Sequence, residues 1–376
     1  MSSKRRSRPD RAIRLRIAVP ILPAAPVTRT VSGIICSSRH DPQCFPGGSR
    51  RTRKPDFPRK VCRSWAGEAS MYGMTGTSLP QSVLAWREHG RHLDIGGNAI
   101  FVVDTGAAGA ADSGAAGAAG GDAVVILHGF PGSSHDWARV VPLIARRRRV
   151  VVFDLLGYGL SDKPPDASYS LFGFADLAEA VLAETGVRRC ALVAHDLGDT
   201  VAAELLHRHN AGQLSLSVER AILTNGSIFI DMARLTRGQR LALALPGRAL
   251  PFPLPTWLLR RSLRESFTRD APPPDGAVEE LVSLVRHHDG ARLIPKQIRY
   301  IAERRAHQPR WTAALVDYDG PLTALWGDRD PIAVAAMPRR LAELRPETEL
   351  VTWPDIGHWP SIEAPERMAE AIIERL

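Results

Sequence analysis

Residues 191–200 read "ALVAHDLGDT", an apolar run that stops on His195 and Asp196 and continues through Leu197 and Gly198. A short apolar run of this kind is a buried strand, and the spacing of Val201, Ala202, Leu205 and Leu206 beyond it is the inner face of a helix. Asp196 therefore stands at a junction between strand and helix. Two roles suit an acid there. It can cap the helix, where aspartate is favoured, or it can be held up on a tight turn as a nucleophile. Ala194 and Gly198, two residues to either side, leave room for such a turn, because larger side chains would collide with the neighbouring strand or helix. Asp199, in the first helical turn, reads as a structural partner of the helix dipole.

Working outward, strand-like runs occur at "NAIFVVD", "AVVIL", "RVVVF", "CALVA", "RAILT", "PLTALW" and "ELVTW", with helix-like stretches between most of them. This alternation predicts an α/β fold: a mostly parallel sheet flanked by helices, with functional groups beyond the carboxyl ends of the strands. Regular patterning begins near Ser78, and residues 105–122 read as a Gly/Ala-rich surface loop. Between "RAILTN" and "PLTALWG" lie 95 residues without a comparable strand. A stretch of that length is not a plain loop, so residues 226–315 are expected to form a helical cap, inserted after the sixth strand, that roofs a pocket. The predicted organisation is a leader over 1–77, a core over 78–225 and 316–376, and the cap between the two parts.

Other strand ends carry chemistry as well. "AVVIL" is followed by "HGFPGSSHDW", "PLTALW" by "GDRDP", and "ELVTW" by "DIGHWP". The chain order Asp196, Asp330, His358 is the nucleophile, acid, histidine order of the α/β-hydrolase triad. A carboxylate suits attack on a saturated carbon, because it is ionised near neutral pH and needs no base. The product is an alkyl-enzyme ester. His358 then activates water, Asp330 holds the imidazole, and backbone N–H groups of Phe130 and Leu197 meet the oxyanion. No metal or organic cofactor is required, only a small-molecule substrate and water. Asp328 is the alternative orienting acid, although the residue before Pro331 fits the pattern better. Taken singly, Asp196 would be a helix cap and His358 a surface-loop histidine. His128 and His195 read as groups that orient loops.

Together "HGFPGSSHDW", "DLLGYGLSDKP", "AHDLGD", "GDRDP" and "GHWP" resemble the epoxide hydrolase and haloalkane dehalogenase branch of the α/β-hydrolases, from about residue 85 to the C-terminus. "HDLGDTVAAELLHR", "LTNGSIF" and "RWTAAL" further resemble the mesoderm-specific transcript group, which is described as hydrolase-like. The resemblance implies the α/β-hydrolase fold, and the departures from it narrow the chemistry. Haloalkane dehalogenases place a halide-binding tryptophan after the nucleophile, and one group adds an asparagine after "HG"; here these positions are Leu197 and Phe130. Fluoroacetate dehalogenases have an arginine where Leu197 stands. Epoxide hydrolases protonate the opening ring with two cap tyrosines, of which this cap has Tyr300 alone. The reading is an epoxide hydrolase-like enzyme for a small apolar substrate. Haloalkane dehalogenation, ester or lipid acyl hydrolysis, and a non-catalytic binding protein with a retained pocket are the alternatives.

Tyr300 and Trp311 are the cap candidates for substrate contact, since phenol and indole each donate a hydrogen bond from an apolar body. Trp137 and Trp359 read as pocket wall or core. Asn225, after "RAILT", either bonds an acid or shapes the entry into the cap. Arg304, Arg305 and Arg310 form either an anion-attracting rim or a solvated helix face.

The net charge of +9 is uneven: residues 1–70 hold 16 Lys+Arg against 4 Asp+Glu, leaving 33 against 36 in the remainder. A nucleic-acid-binding body is therefore not indicated, and the leader reads as a disordered or untranslated stretch ahead of Met71 or Met74 rather than a basic arm. Pro20, Pro23 and Pro26 interrupt its apolar segment and disfavour a secretory signal. Cys36, Cys44 and Cys62 match no common metal spacing, and Cys190 reads as a small core residue. No run is long enough for a membrane helix, so a soluble, cytoplasmic body is expected.

Overall fold

A computed structural model of the chain describes residues 79–106, 121–268 and 271–376. The leader, with its three cysteines and Met71 and Met74, lies outside the described residues, as does all but the ends of the Gly/Ala-rich loop. Eight strands build one sheet: β1 Arg91–Ile95, β2 Asn98–Asp104, β3 Asp122–Leu127, β4 Val150–Phe153, β5 Arg189–His195, β6 Ser217–Thr224, β7 Leu322–Gly327 and β8 Glu349–Trp353. Their spatial order is β1-β2-β4-β3-β5-β6-β7-β8. β1 and β2 pair antiparallel, as do β2 and β4, and every other pair is parallel.

β3, β4 and β5 are almost wholly buried, as runs of Val, Ile, Leu and Ala must be when both sheet faces are covered. Removing a side chain such as Val193 or Ile222 from water contributes about 1.5–3 kcal/mol. β1 carries no apolar run. Its sequence, "RHLDI", is polar and partly exposed because it is the edge of the sheet. One apolar cluster lies on the face that carries Leu197 and Leu205, and the other holds Trp137, Ile144 and Ile372. Cys190 is buried, and burial pushes its thiol up to about 12, which suits a core residue.

Between β6 and β7 the chain forms helices Arg237–Ala244, Thr256–Arg264, Ala277–Arg286, Ile294–Gln297 and Tyr300–Val316. The last of these packs along the helix Leu197–Asn210 that follows β5. Glu204, 1% exposed, accepts from Arg310 at 2.8 and 2.9 Å, from Trp311 Nε1 at 3.0 Å and from Arg208 Nε at 3.1 Å. Burial raises its carboxyl, but these donors outweigh it and hold the group below the usual range. Among the described residues, no helix is long and apolar enough to cross a membrane.

Candidate active site

Asp196 closes β5 and opens the helix Leu197–Asn210 with φ 47° and ψ −104°. A left-handed φ in a non-glycine residue costs on the order of 1–3 kcal/mol, and it persists only where the surroundings impose it. The carboxylate makes no capping bond to the helix, so the capping role does not account for it. The turn is crowded from below. A Cβ on Gly198 would sit 2.5 Å from the Leu127 carbonyl oxygen, and one on Gly129 would sit 2.8 Å from Asp196 Cβ. Phe130 N–H donates to Asp196 Oδ2 at 3.0 Å, while Oδ1 accepts no hydrogen bond among the described residues. The Leu197 N–H has no acceptor among the described residues.

His358 and Asp330 meet next to this elbow. His358 Nδ1–H donates to Asp330 Oδ2 at 2.8 Å, and Asn225 Nδ2 donates to the same oxygen at 2.8 Å. Asp330 Oδ1 accepts from Ile332 N at 2.7 Å and Ala333 N at 2.9 Å. Asp328 points elsewhere, with one oxygen 3.8 Å from Arg339. Burial works against a charged imidazole at His358, but the Asp330 and Asp196 carboxylates outweigh it and push the group up to about 9. His195 behaves oppositely. Burial, helped by the charge on His358, lowers it to about 4, so it stays neutral and its Nε2–H donates to the His358 carbonyl at 2.8 Å. Burial also lowers His128, whose Nδ1–H donates to Gly129 O and whose Nε2 accepts from Leu155 N, both at 2.9 Å. Asp199 is buried beneath the elbow, where desolvation raises its carboxyl well above the usual range.

An apolar cavity with an empty volume of about 710 Å³, its open mouth included, reaches this group of residues. His358, Phe130 and Trp359 form its inner wall, and Leu241, Leu254 and Leu258 belong to its helical side. Asp196 is not itself part of the wall and meets it through the Phe130 N–H. Tyr300, like Asp196 outside that wall, packs on Phe130, with ring centres 5.5 Å apart; burial and the Asp196 charge both raise its hydroxyl.

Several residues expected to touch substrate have other partners. The Trp311 indole N–H is committed to Glu204, and Trp311 is absent from the cavity wall. Trp137 packs in the cluster on the other sheet face with Val140 and Ile144. Asn225 holds Asp330 and bonds both Gly327 N and Gly327 O, so its amide is fully used in joining β6 to β7. The arginine run forms no rim: Arg310 grips Glu204, only Arg305 of the three is exposed, and Arg304 is 2% exposed. Arg304 instead donates to Thr200 Oγ1 at 2.7 Å and to the Asp196 carbonyl at 3.1 Å, and lies over the Tyr300 ring.

Tyr158 is a residue the sequence reading passed over. Its buried hydroxyl has no hydrogen-bond partner among the described residues, and burial together with Tyr300 and Asp196 raises it. The signal was available, since "DLLGYG" follows β4 and so lies beyond the carboxyl end of a strand.

A buried acid on a strand-to-helix elbow, facing a histidine that a second acid orients, defines a hydrolase of the α/β type. The family model for the alpha/beta hydrolase fold matches residues 122–365, and the chain belongs to that family. It is 35% identical over 305 residues to the putative hydrolase LipZ of Mycobacterium tuberculosis, an alignment covering 78% of this chain and 98% of that protein. It is 32% identical over 301 residues to the mesoderm-specific transcript protein of Mus musculus, covering 76% and 85%. Among solved structures, an alpha/beta hydrolase fold protein from Burkholderia ambifaria superposes with a TM-score of 0.57 at 24% identity, covering 76% of this chain and 97% of that one.

Proposed function

We propose that the chain is a cofactor-independent hydrolase that opens an apolar epoxide through an ester on Asp196. The observation that carries this reading is the Asp196 carboxylate on its strained elbow: Oδ2 is held by the Phe130 N–H, and Oδ1 has no hydrogen bond among the described residues. Oδ1 attacks the ring carbon, the C–O bond breaks, and a tyrosine hydroxyl protonates the leaving oxygen. Tyr300 is the first candidate donor and Tyr158 the second, because both hydroxyls feel the Asp196 charge and burial keeps both protonated.

Esterification then changes His358. With Asp196 ionised, the imidazole holds its proton up to about 9. Once that carboxylate is an ester, one of the charges favouring imidazolium is gone, so the ring gives its proton back to the tyrosinate and becomes a base for water. Water adds to the ester carbonyl, His358 takes its proton, and Phe130 and Leu197 N–H groups stabilise the oxyanion. Collapse passes the adduct's hydroxyl proton to the departing alkoxide, which releases the diol and restores the Asp196 carboxylate, while His358 keeps the other proton of the water and is again imidazolium. Net consumption is one water. Residues 226–315 act as the cap in this scheme, over a core of 78–225 and 316–376, and the enzyme works in the cytoplasm.

Dehalogenation is less well supported, because no indole donor at the site is free for a halide among the described residues. Leu197 offers no side-chain donor, Trp311 bonds Glu204, and Trp359 Nε1 bonds Ser266 Oγ at 2.8 Å. The test is a single turnover in ¹⁸O-labelled water with a panel of epoxides, haloalkanes and esters. Label entering Asp196 before product supports the ester route, and label going straight to product from an unlabelled enzyme refutes it.

A further inference from the structure

We propose that residues 232–264 form a docking surface for an anionic lipid membrane, from which a lipophilic substrate enters the cavity. Large hydrophobic side chains rarely face water without reason when they gather in one place. Phe252 is 77% exposed, Trp257 63% and Leu241 47%, and all three lie in this segment. The same stretch holds seven arginines and no Asp or Glu. Arg260 pairs with Glu279 and Arg261 with Glu265, which leaves Arg234, Arg237, Arg240, Arg248 and Arg264 without an ion pair among the described residues. Asp275 and Glu279 share a groove with Trp257 and Arg264, and Glu265 shares one with Arg234, Arg237 and Arg240, so these three acids do not balance the seven arginines.

Charge selects the occupant. A second copy of the chain would set arginines against arginines, and so would the basic residues 1–70. Anionic headgroups complement the arginines, while Phe252, Trp257 and Leu241 have the apolar character of side chains that enter the headgroup and acyl boundary. The helix Thr256–Arg264 has the corresponding amphipathic form: Leu259 and Leu263 are buried, whereas Trp257, Arg261 and Arg264 face outward. Continuity with the cavity argues for lipid over an acidic protein. Leu241, Leu245, Leu254 and Leu258 line the cavity whose inner end is His358, so an alkyl chain could pass inward without crossing water. The delivery part of this inference rests on the catalytic reading above; the docking part does not.

The test uses the full chain with phosphatidylcholine vesicles, with and without phosphatidylglycerol, whose acyl chains carry bromine as a fluorescence quencher. Quenching of Trp257 on the anionic vesicles, absent in Trp257→Phe, is the expected result. The double variant Phe252→Ser/Trp257→Ser should bind them roughly tenfold more weakly or worse, and changing the five unpaired arginines to Gln should weaken binding on the order of a hundredfold. The serine double variant should keep its activity on a short water-soluble epoxide and lose it on a long-chain epoxide embedded in vesicles. Vesicle binding without Trp257 quenching, carried by the basic N-terminal residues, would overturn the proposal. So would a dimer in solution that the double variant abolishes. If Trp257 is quenched but no substrate is turned over, docking stands and the catalytic reading fails.

Discussion

The strand ends and the helical insertion solve opposite problems. At the strand ends the groups that orient the site are tied down. Asp330 takes four donors from three separate stretches of chain, the Asn225 amide is fully used, and Gly198 has no space for a methyl group. Across the cavity, the insertion presents mainly leucine and isoleucine, with few polar side chains such as Thr236 and Gln239, and its outer face leaves Phe252 and Trp257 in water. Chemistry needs atoms held to tenths of an ångström, which directional bonds provide. Selection of an apolar substrate needs shape, which dispersion and burial provide with more tolerance.

The contrast predicts a steep gradient of mutational effects. Asp196→Asn should lower turnover by about 10⁴-fold or more and leave no adduct in the intact mass. His358→Gln should lower it by about 10²–10⁴ while the ester accumulates. An adduct on the asparagine variant would break the comparison at its root. Next, Gly198→Ala should destabilise the fold by about 3 kcal/mol, read from urea unfolding, because the new methyl meets the Leu127 carbonyl rather than a movable side chain.

Asn225→Ala should cost about 1–3 kcal/mol by freeing buried partners, and it should alter the pH dependence. His358 is raised from 6.5 to about 9 in the folded protein, so its stabilising effect is complete below pH 6.5 and is lost as pH rises through about 9. The wild-type unfolding midpoint should therefore fall over that window, less steeply in Asn225→Ala, and not through this group in His358→Gln. The smallest effect belongs to Trp311→Phe, which removes one of the Glu204 donors. It should cost about 1 kcal/mol with kcat/KM unchanged; a large loss of kcat/KM would return Trp311 to the site.

The elbow, the sheet and the insertion were legible because each leaves a local mark: an apolar run ending on an acid, alternating runs, and a long stretch without strands. The partners of individual side chains in the insertion were not. Trp311 and Arg304 are seven residues apart on one helix, and nothing in that spacing says that one meets Glu204 and the other the Asp196 carbonyl. Those contacts depend on how two helices distant in sequence pack together. β1 was missed for a related reason, since an edge strand needs no apolar run.

The share of the cavity wall contributed by helices between β6 and β7 has a practical consequence. The sheet loops supply Phe130, Pro131, Ile332, His358 and Trp359, and the intervening helices supply the remaining lining. That module could in principle be grafted from a relative to recast what the enzyme accepts while its reaction stays the same. Arg304 sets the condition, because its guanidinium reaches the main chain of Asp196; a transplant without an equivalent cation would lose that hydrogen bond from the module to the elbow.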